Sequence, residues 1–324
     1  MNAAELLNSP EDLNDAIVYA SPKTGIEKNM VEKDIWVTFL LGYLFRDSPW
    51  KDSILFKGGT CLSKCYGTVE RFSEDIDILL DWRVLGYDLE GPPIEPSRKK
   101  QENSNDALVA RLQEFIENEF IPTLREDISE IIDRPFEVAS DKRNVLFRYP
   151  SLFGSDLIEK HVLIEIGPRG RWGKPTSRTV RSYMCQHIPG LDDETTVRCI
   201  PMEQAYYEKI QIIHSLTSRG KVPPKNSRHY YDVYRIHRAL GHIDYDAEAM
   251  ASNVEYSRRF YPGAGYGYDE MARGSYRLMP TEDMMPSLVS DYRSMSAMIF
   301  GDKPSLDDIL SELAAIEKEL NRDD

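Results

Sequence analysis

The segment ILFKGGTCLSKCYGTVERFSEDIDILL, residues 54–80, carries the two patterns that decide the fold. Ser53 to Lys57 has strand composition, Gly58 and Gly59 mark a turn, and Thr60 is placed to cap a short helix through Tyr66. A strand, a glycine turn and a helix start put backbone N–H groups where a phosphate could dock. Alone this is weak, because the spacing is not that of a P-loop and two glycines also make an ordinary tight turn. A second strand, Asp75 to Leu80, adds weight. Period-two alternation sends Ile76 and Ile78 into a core and turns Asp75 and Asp77 to the other face together. Two acids on one face repel unless a cation neutralises them, and a pair of Mg²⁺ ions is the usual partner in phosphoryl transfer. The alternative is an exposed edge with two solvated acids.

Outward from this segment, HVLIEI at 161–166 supplies a third carboxylate. Glu165 is an acid inside an apolar run, expensive to bury unless it is metal-bound or paired, with Arg148 or Arg71 as candidate ion-pair partners. It is the expected third metal ligand. A basic loop starts at Arg169, directly after this strand.

Charge is unevenly spread. The 324 residues carry 40 basic and 54 acidic side chains, a net charge of −14, which disfavours a protein that coats nucleic acid non-specifically with its whole surface. Two acid-free stretches stand apart. Ile166 to Leu191 holds Arg169, Arg171, Lys174, Arg178 and Arg181, and Lys209 to Tyr231 holds Lys209, Arg219, Lys221, Lys225 and Arg228. Positive potential concentrated on a repelling body suits a focused site for a phosphate-rich ligand such as an RNA end. Two solvated loops would give the same count.

The 41% apolar content can fill a core, and the longest apolar stretch, Ile35 to Phe45, is far short of a membrane span. The acidic N-terminus is unlike a signal peptide, and four scattered cysteines fit a reducing compartment better than a disulfide framework. A cytoplasmic protein with no membrane contact is expected. Neither Cys61 with Cys65 nor Cys185 with Cys199 has zinc-finger spacing, so all four read as core thiols.

Helical patterns open the chain at Ser9-Pro10 and from Ile26 to Phe45. Residues 86–105 read as an exposed loop, and helical spacing resumes from Leu108 to Phe120. Strands are expected at 145–149 and 161–166. Helices are expected at 202–216, 229–240, 287–300 and 305–320. The organisation is an α/β domain, 1–195, followed by a helical domain, 196–324. The aromatic and basic mixture Tyr256, Arg258, Arg259, Phe260, Tyr261, Tyr266 and Tyr268 could stack unpaired bases or pack a domain.

Lys57-Gly-Gly-Thr60 with Leu62, Lys64 and Tyr66, then Arg71-Phe-Ser-Glu-Asp75-Ile-Asp77, resembles the signature of the AbiEii/AbiGii nucleotidyltransferase toxins, a branch of the DNA polymerase β-like superfamily. The likeness covers most of the chain: Glu32-Lys-Asp34 with Trp36, Lys209 within Tyr207-Glu-Lys-Ile210, Arg228-His-Tyr-Tyr-Asp232, and Asp291-Tyr292 with Met295, Met298 and Pro304-Ser305. Some members carry Arg-x-Lys-Asp where this chain has Arg228-His-Tyr-Tyr-Asp232. The resemblance implies an α/β (α+β) fold, a small mixed-sheet nucleotidyltransferase core followed by a helical domain closing the nucleotide cleft. It implies an NTP substrate contacted by Lys57, Gly58, Gly59, Thr60 and Lys64, with Mg²⁺ on Asp75 and Asp77. Lys209 would hold phosphate, and Asp232 would assist at the acceptor or metal. Lys209 and Asp232 fall on successive helical patterns joined at Pro223-Pro224, so they can face each other across a cleft or simply form a salt bridge. The implied reaction is transfer of a nucleoside monophosphate to an acceptor hydroxyl, with a tRNA 3′ end as acceptor, growth arrest or phage defence as outcome, and a cognate antitoxin as partner of a monomeric toxin. A small-molecule acceptor, a protein acceptor and a non-catalytic NTP-binding module remain as alternatives.

Overall fold

The computed structural model describes residues 1–88, 91–141, 144–154, 159–168, 174–241, 245–263 and 266–321. The chain forms two compact units. One comprises Met1–Tyr66, Phe72–Pro93 and Asn103–Ile200; the other comprises Gly67–Arg71, Ile94–Glu102 and Pro201–Asp324.

The first unit is built on a seven-stranded mixed sheet. Its strands are β1 (Ile54–Lys57), β2 (Ile76–Leu80), β3 (Glu137–Asp141), β4 (Asn144–Arg148), β5 (His161–Gly167), β6 (Thr176–Val180) and β7 (Thr195–Cys199), in the order β3-β4-β5-β2-β1-β7-β6. β1 runs antiparallel to β2, while β2 with β5 and β1 with β7 are parallel pairs. The apolar central strands β1 and β2 are buried. The edge strands β3 and β6 are short and polar, as edges exposed to water usually are, which is why their sequences do not stand out.

Helices α1 (Ala3–Asn8), α2 (Pro10–Thr24), α3 (Lys28–Gly42), α4 (Gly58–Lys64), α5 (Arg98–Phe115) and α6 (Ile121–Ser129) precede or interrupt the sheet. Ser9 caps α2 through its hydroxyl and Pro10 fills the first helical position. Thr60 does not cap α4: the helix already starts at Gly58, and the buried Thr60 hydroxyl donates to the Asp75 carbonyl at 2.6 Å. The expected loop over 86–105 is also corrected. Its second half begins α5 at Arg98, and Gln101 and Asn105 are buried despite their polarity.

The second unit is helical: α7 (Met202–Arg219), α8 (Ser227–Leu240), α9 (Ala247–Phe260), α10 (Tyr268–Met271), α11 (Met285–Ser296) and α12 (Leu306–Leu320). Asp291 accepts from the backbone N–H of Lys225 and Ser227 at 2.6 and 2.7 Å, fixing the entry to α8 where Lys225 adopts φ 67°. Of the aromatic stretch, Phe260 and Tyr268 are buried and pack this unit, while Tyr261 is exposed.

Candidate active site

Register places the candidate residues of the sheet. Asp77 stands opposite Lys57 of β1 on one side and Glu165 of β5 on the other. Cross-strand partners share a face, so Lys57, Asp77 and Glu165 form one row on the sheet. Asp75 lies immediately before β2, two residues from Asp77, while Ile76 and Ile78 are buried.

Gly58 makes this row possible. Its φ of +79° is in the left-handed region, and a Cβ there would lie 1.8 Å from the Asp77 Oδ2. The carboxylate therefore rests directly over the main chain of the glycine turn, a position no other residue type leaves open.

Asp75 and Asp77 are half-exposed and Glu165 is exposed. Hard carboxylate oxygens at the mouth of the turn suit Mg²⁺, which is commonly held by one or two carboxylates plus substrate phosphates. The expected three-carboxylate cage is not formed. Among the described residues, the one group of three potential ligands whose atoms lie within 4.8 Å of one another is Cys61, Cys65 and Cys199, so Glu165 does not join Asp75 and Asp77 at metal-ligand spacing. Nor is Glu165 in an ion pair among the described residues, since Arg148 pairs with Glu137 and Arg71 with Asp232.

The early helix α3 fixes the segments around this row. Glu32, Lys33 and Asp34 are all buried in it. Glu32 accepts from Ser151 Oγ at 2.8 Å and from the N–H groups of Leu152 and Phe153 at 2.6 and 3.1 Å. Lys33 reaches Glu74, one residue before Asp75, at 2.5 Å. Asp34 meets Lys64 at 2.5 Å and accepts from the Tyr183 N–H at 2.6 Å. Lys64 is thereby corrected from a nucleotide contact to a buried anchor, because its ammonium is spent on Asp34, the Arg181 carbonyl and the face of Tyr183. Three consecutive charges inside an apolar helix were the sequence signal for this role, and reading that helix by its apolar residues alone misses it.

In the helical unit, Lys209 of α7 and Asp232 of α8 meet directly at 2.7 Å with no cleft between them. Asp232 also takes a two-pronged grip from Arg71, at 2.9 Å from Nε and 2.8 Å from Nη2. Burial opposes ionisation of Asp232, yet Arg71 and Lys209 overcome it and hold the carboxyl well below the usual carboxylate range. Asp232 is fully buried, which corrects its expected place at an acceptor or metal: it positions the two cations. Burial, followed by Lys209 and Arg228, pushes the neighbouring His229 imidazole well below its ordinary value.

The basic residues fall on different units. Lys174, Arg178 and Arg181 are exposed on and beside edge strand β6 in the sheet unit, and the Arg178 guanidinium lies 4.9 Å from the Tyr66 ring centre. Lys221 and Lys225 are exposed and Arg228 is half-exposed in the helical unit. Arg169 and Arg171 lie outside the described residues.

The model of the AbiEii nucleotidyl transferase toxins of type IV toxin–antitoxin systems matches residues 40–312. The chain belongs to that family. It is a nucleotidyltransferase toxin, and its family implies an NTP substrate and an antitoxin partner. MenT4, a nucleotidyltransferase toxin from Mycobacterium tuberculosis H37Rv, shares the fold. That structure aligns at a TM-score of 0.50 and 17% identity, over 96% of this chain and 90% of its own. No curated protein matches the chain. Among the described residues no helix is long and apolar enough to cross a membrane.

Proposed function

We propose that this AbiEii toxin transfers a nucleoside monophosphate from an NTP to the 3′-terminal hydroxyl of a tRNA, acting as a cytoplasmic monomer. The observation that carries the reading is the Asp77 carboxylate seated over the Gly58 turn, with Asp75 two residues away. Asp75 and Asp77 would hold Mg²⁺, which supplies charge neutralisation at the triphosphate and lowers the pKa of the attacking hydroxyl. Gly58 and Gly59 let the triphosphate approach the main chain, and Lys57, in register with Asp77, adds a cation on the same sheet face. Within the helical unit, Lys209 and Arg71 both pair with Asp232, and Lys209 is the cation that would hold phosphate. Exposed Lys174, Arg178 and Arg181, against a body of net charge −14, favour an RNA backbone over a small neutral acceptor.

The test is incubation with each of the four labelled NTPs, Mg²⁺ and total RNA. Label is expected in the tRNA fraction from one or two NTPs, and Asp77→Ala should lower it roughly 10³-fold, the scale of losing a central charge-stabilising group. Undiminished labelling by that variant defeats the site assignment. Label that enters only protein or small molecules defeats the acceptor. Replacing Lys174 and Arg178 by Glu should weaken RNA labelling and make the remaining activity less salt-dependent.

A further inference from the structure

Three of the four cysteines, unused by the nucleotidyl-transfer reading, converge in the sheet unit. Cys61 and Cys65 are four residues apart and share one side of α4, with Cys65 at the residue that ends it. Cys199 is the last residue of β7, which the parallel pairing with Phe56 sets beside the strand that leads into α4. The three sulfurs all lie within 4.8 Å of one another. Cys61 and Cys199 are buried, and Cys65 is half-exposed.

We propose that Cys61, Cys65 and Cys199 form a trithiolate site for a thiophilic divalent ion of the zinc class. Zn–S bonds of about 2.3 Å in a tetrahedral arrangement put the sulfurs ~3.8 Å apart, so the thiols need to close up by no more than ~1 Å. Binding one Zn²⁺ releases the three thiol protons and leaves a complex of charge −1. Three protein ligands leave a fourth position, and the half-exposed Cys65 marks the side on which water completes it. The chemistry of the donors separates this site from the carboxylate row: soft sulfur selects zinc-class ions, and hard oxygen selects magnesium. Sequence spacing hides the site, because the third ligand comes from a strand far along the chain. Once loaded, the ion ties the end of α4 to β7, and so pins from behind the helix that opens at the glycine turn.

The experiment uses the full chain, reduced and stripped of metal with a chelator. Titration with Co²⁺ should raise a thiolate-to-cobalt charge-transfer band that saturates at one equivalent and is bleached by one equivalent of Zn²⁺. Competition with a chromophoric chelator should show Cys199→Ser and Cys65→Ser each weakening Zn²⁺ binding by about 100-fold or more, at or beyond the upper end of the loss seen when a metal site's supporting groups are removed. Cys199 is fully buried and its replacement could disturb folding, so the half-exposed Cys65→Ser, with unchanged far-ultraviolet circular dichroism, is the deciding variant. Asp77→Ala should retain the band. Absence of the band in the reduced wild-type chain, or its persistence after both serine replacements, overturns the proposal.

Discussion

The two units bury charge in opposite ways. In the sheet unit two buried cations are each met by one carboxylate, Lys33 by Glu74 and Lys64 by Asp34. In the helical unit two cations, Arg71 and Lys209, share the single carboxylate of Asp232. A matched pair is complete in itself and can only hold backbone segments in place. A carboxylate shared by two cations is indispensable to both.

That contrast can be broken in four ways, from the largest effect to the smallest. Asp232→Ala leaves two buried cations facing each other and should cost about 3–5 kcal/mol, the range for removing one partner of a buried pair; urea unfolding measures it, and a loss below about 1 kcal/mol would show that the cluster is solvated. Lys209→Met keeps the Arg71–Asp232 pair, so the unfolding midpoint should move little, while kcat/KM for the NTP falls roughly 10–100-fold, about 1.4–2.7 kcal/mol of transition-state binding. The paired replacement Asp34→Leu with Lys64→Met should stay within roughly 1–2 kcal/mol of wild type and keep nucleotidyl transfer, since apolar substitutes for a matched buried pair are often neutral. A collapse of activity in that double variant would give Lys64 a direct part in the chemistry.

The smallest effect is a pH slope. The folded-state pKa of His229 lies below its unfolded value of about 6.5, so the unfolded chain takes up the proton first and stability falls as pH drops through that value. The slope is at most ~1.4 kcal/mol per pH unit, and His229→Gln should flatten the curve between about pH 6.5 and 5 relative to wild type. Asp232 acts in the same direction lower down: its contribution is present above about pH 4 and is lost as pH falls towards its depressed folded value.

Much of this was legible in the sequence because alternation and helical spacing write themselves into composition. The central strands over 54–57 and 76–80 and the helices at 202–219, 227–240 and 306–320 all bury enough apolar surface to show. The edge strands β3 and β6 do not, because half of their surroundings is water. Asp75 and Asp77 were visible from period two, whereas the grip of Arg71 on Asp232 joins residues 161 apart in sequence and has no local signature. The same holds for the three cysteines: their convergence depends on strand order, which no spacing rule encodes.

Asp34 and Lys64 carry an evolutionary corollary. Each is nearly sealed from solvent and each is the other's neutralising partner. A lone change at either codon strands the survivor, so lineages must cross that valley in a paired step or not at all. Among AbiEii homologues, positions 34 and 64 should therefore covary as a unit, switching jointly between an ionic and an aliphatic couple.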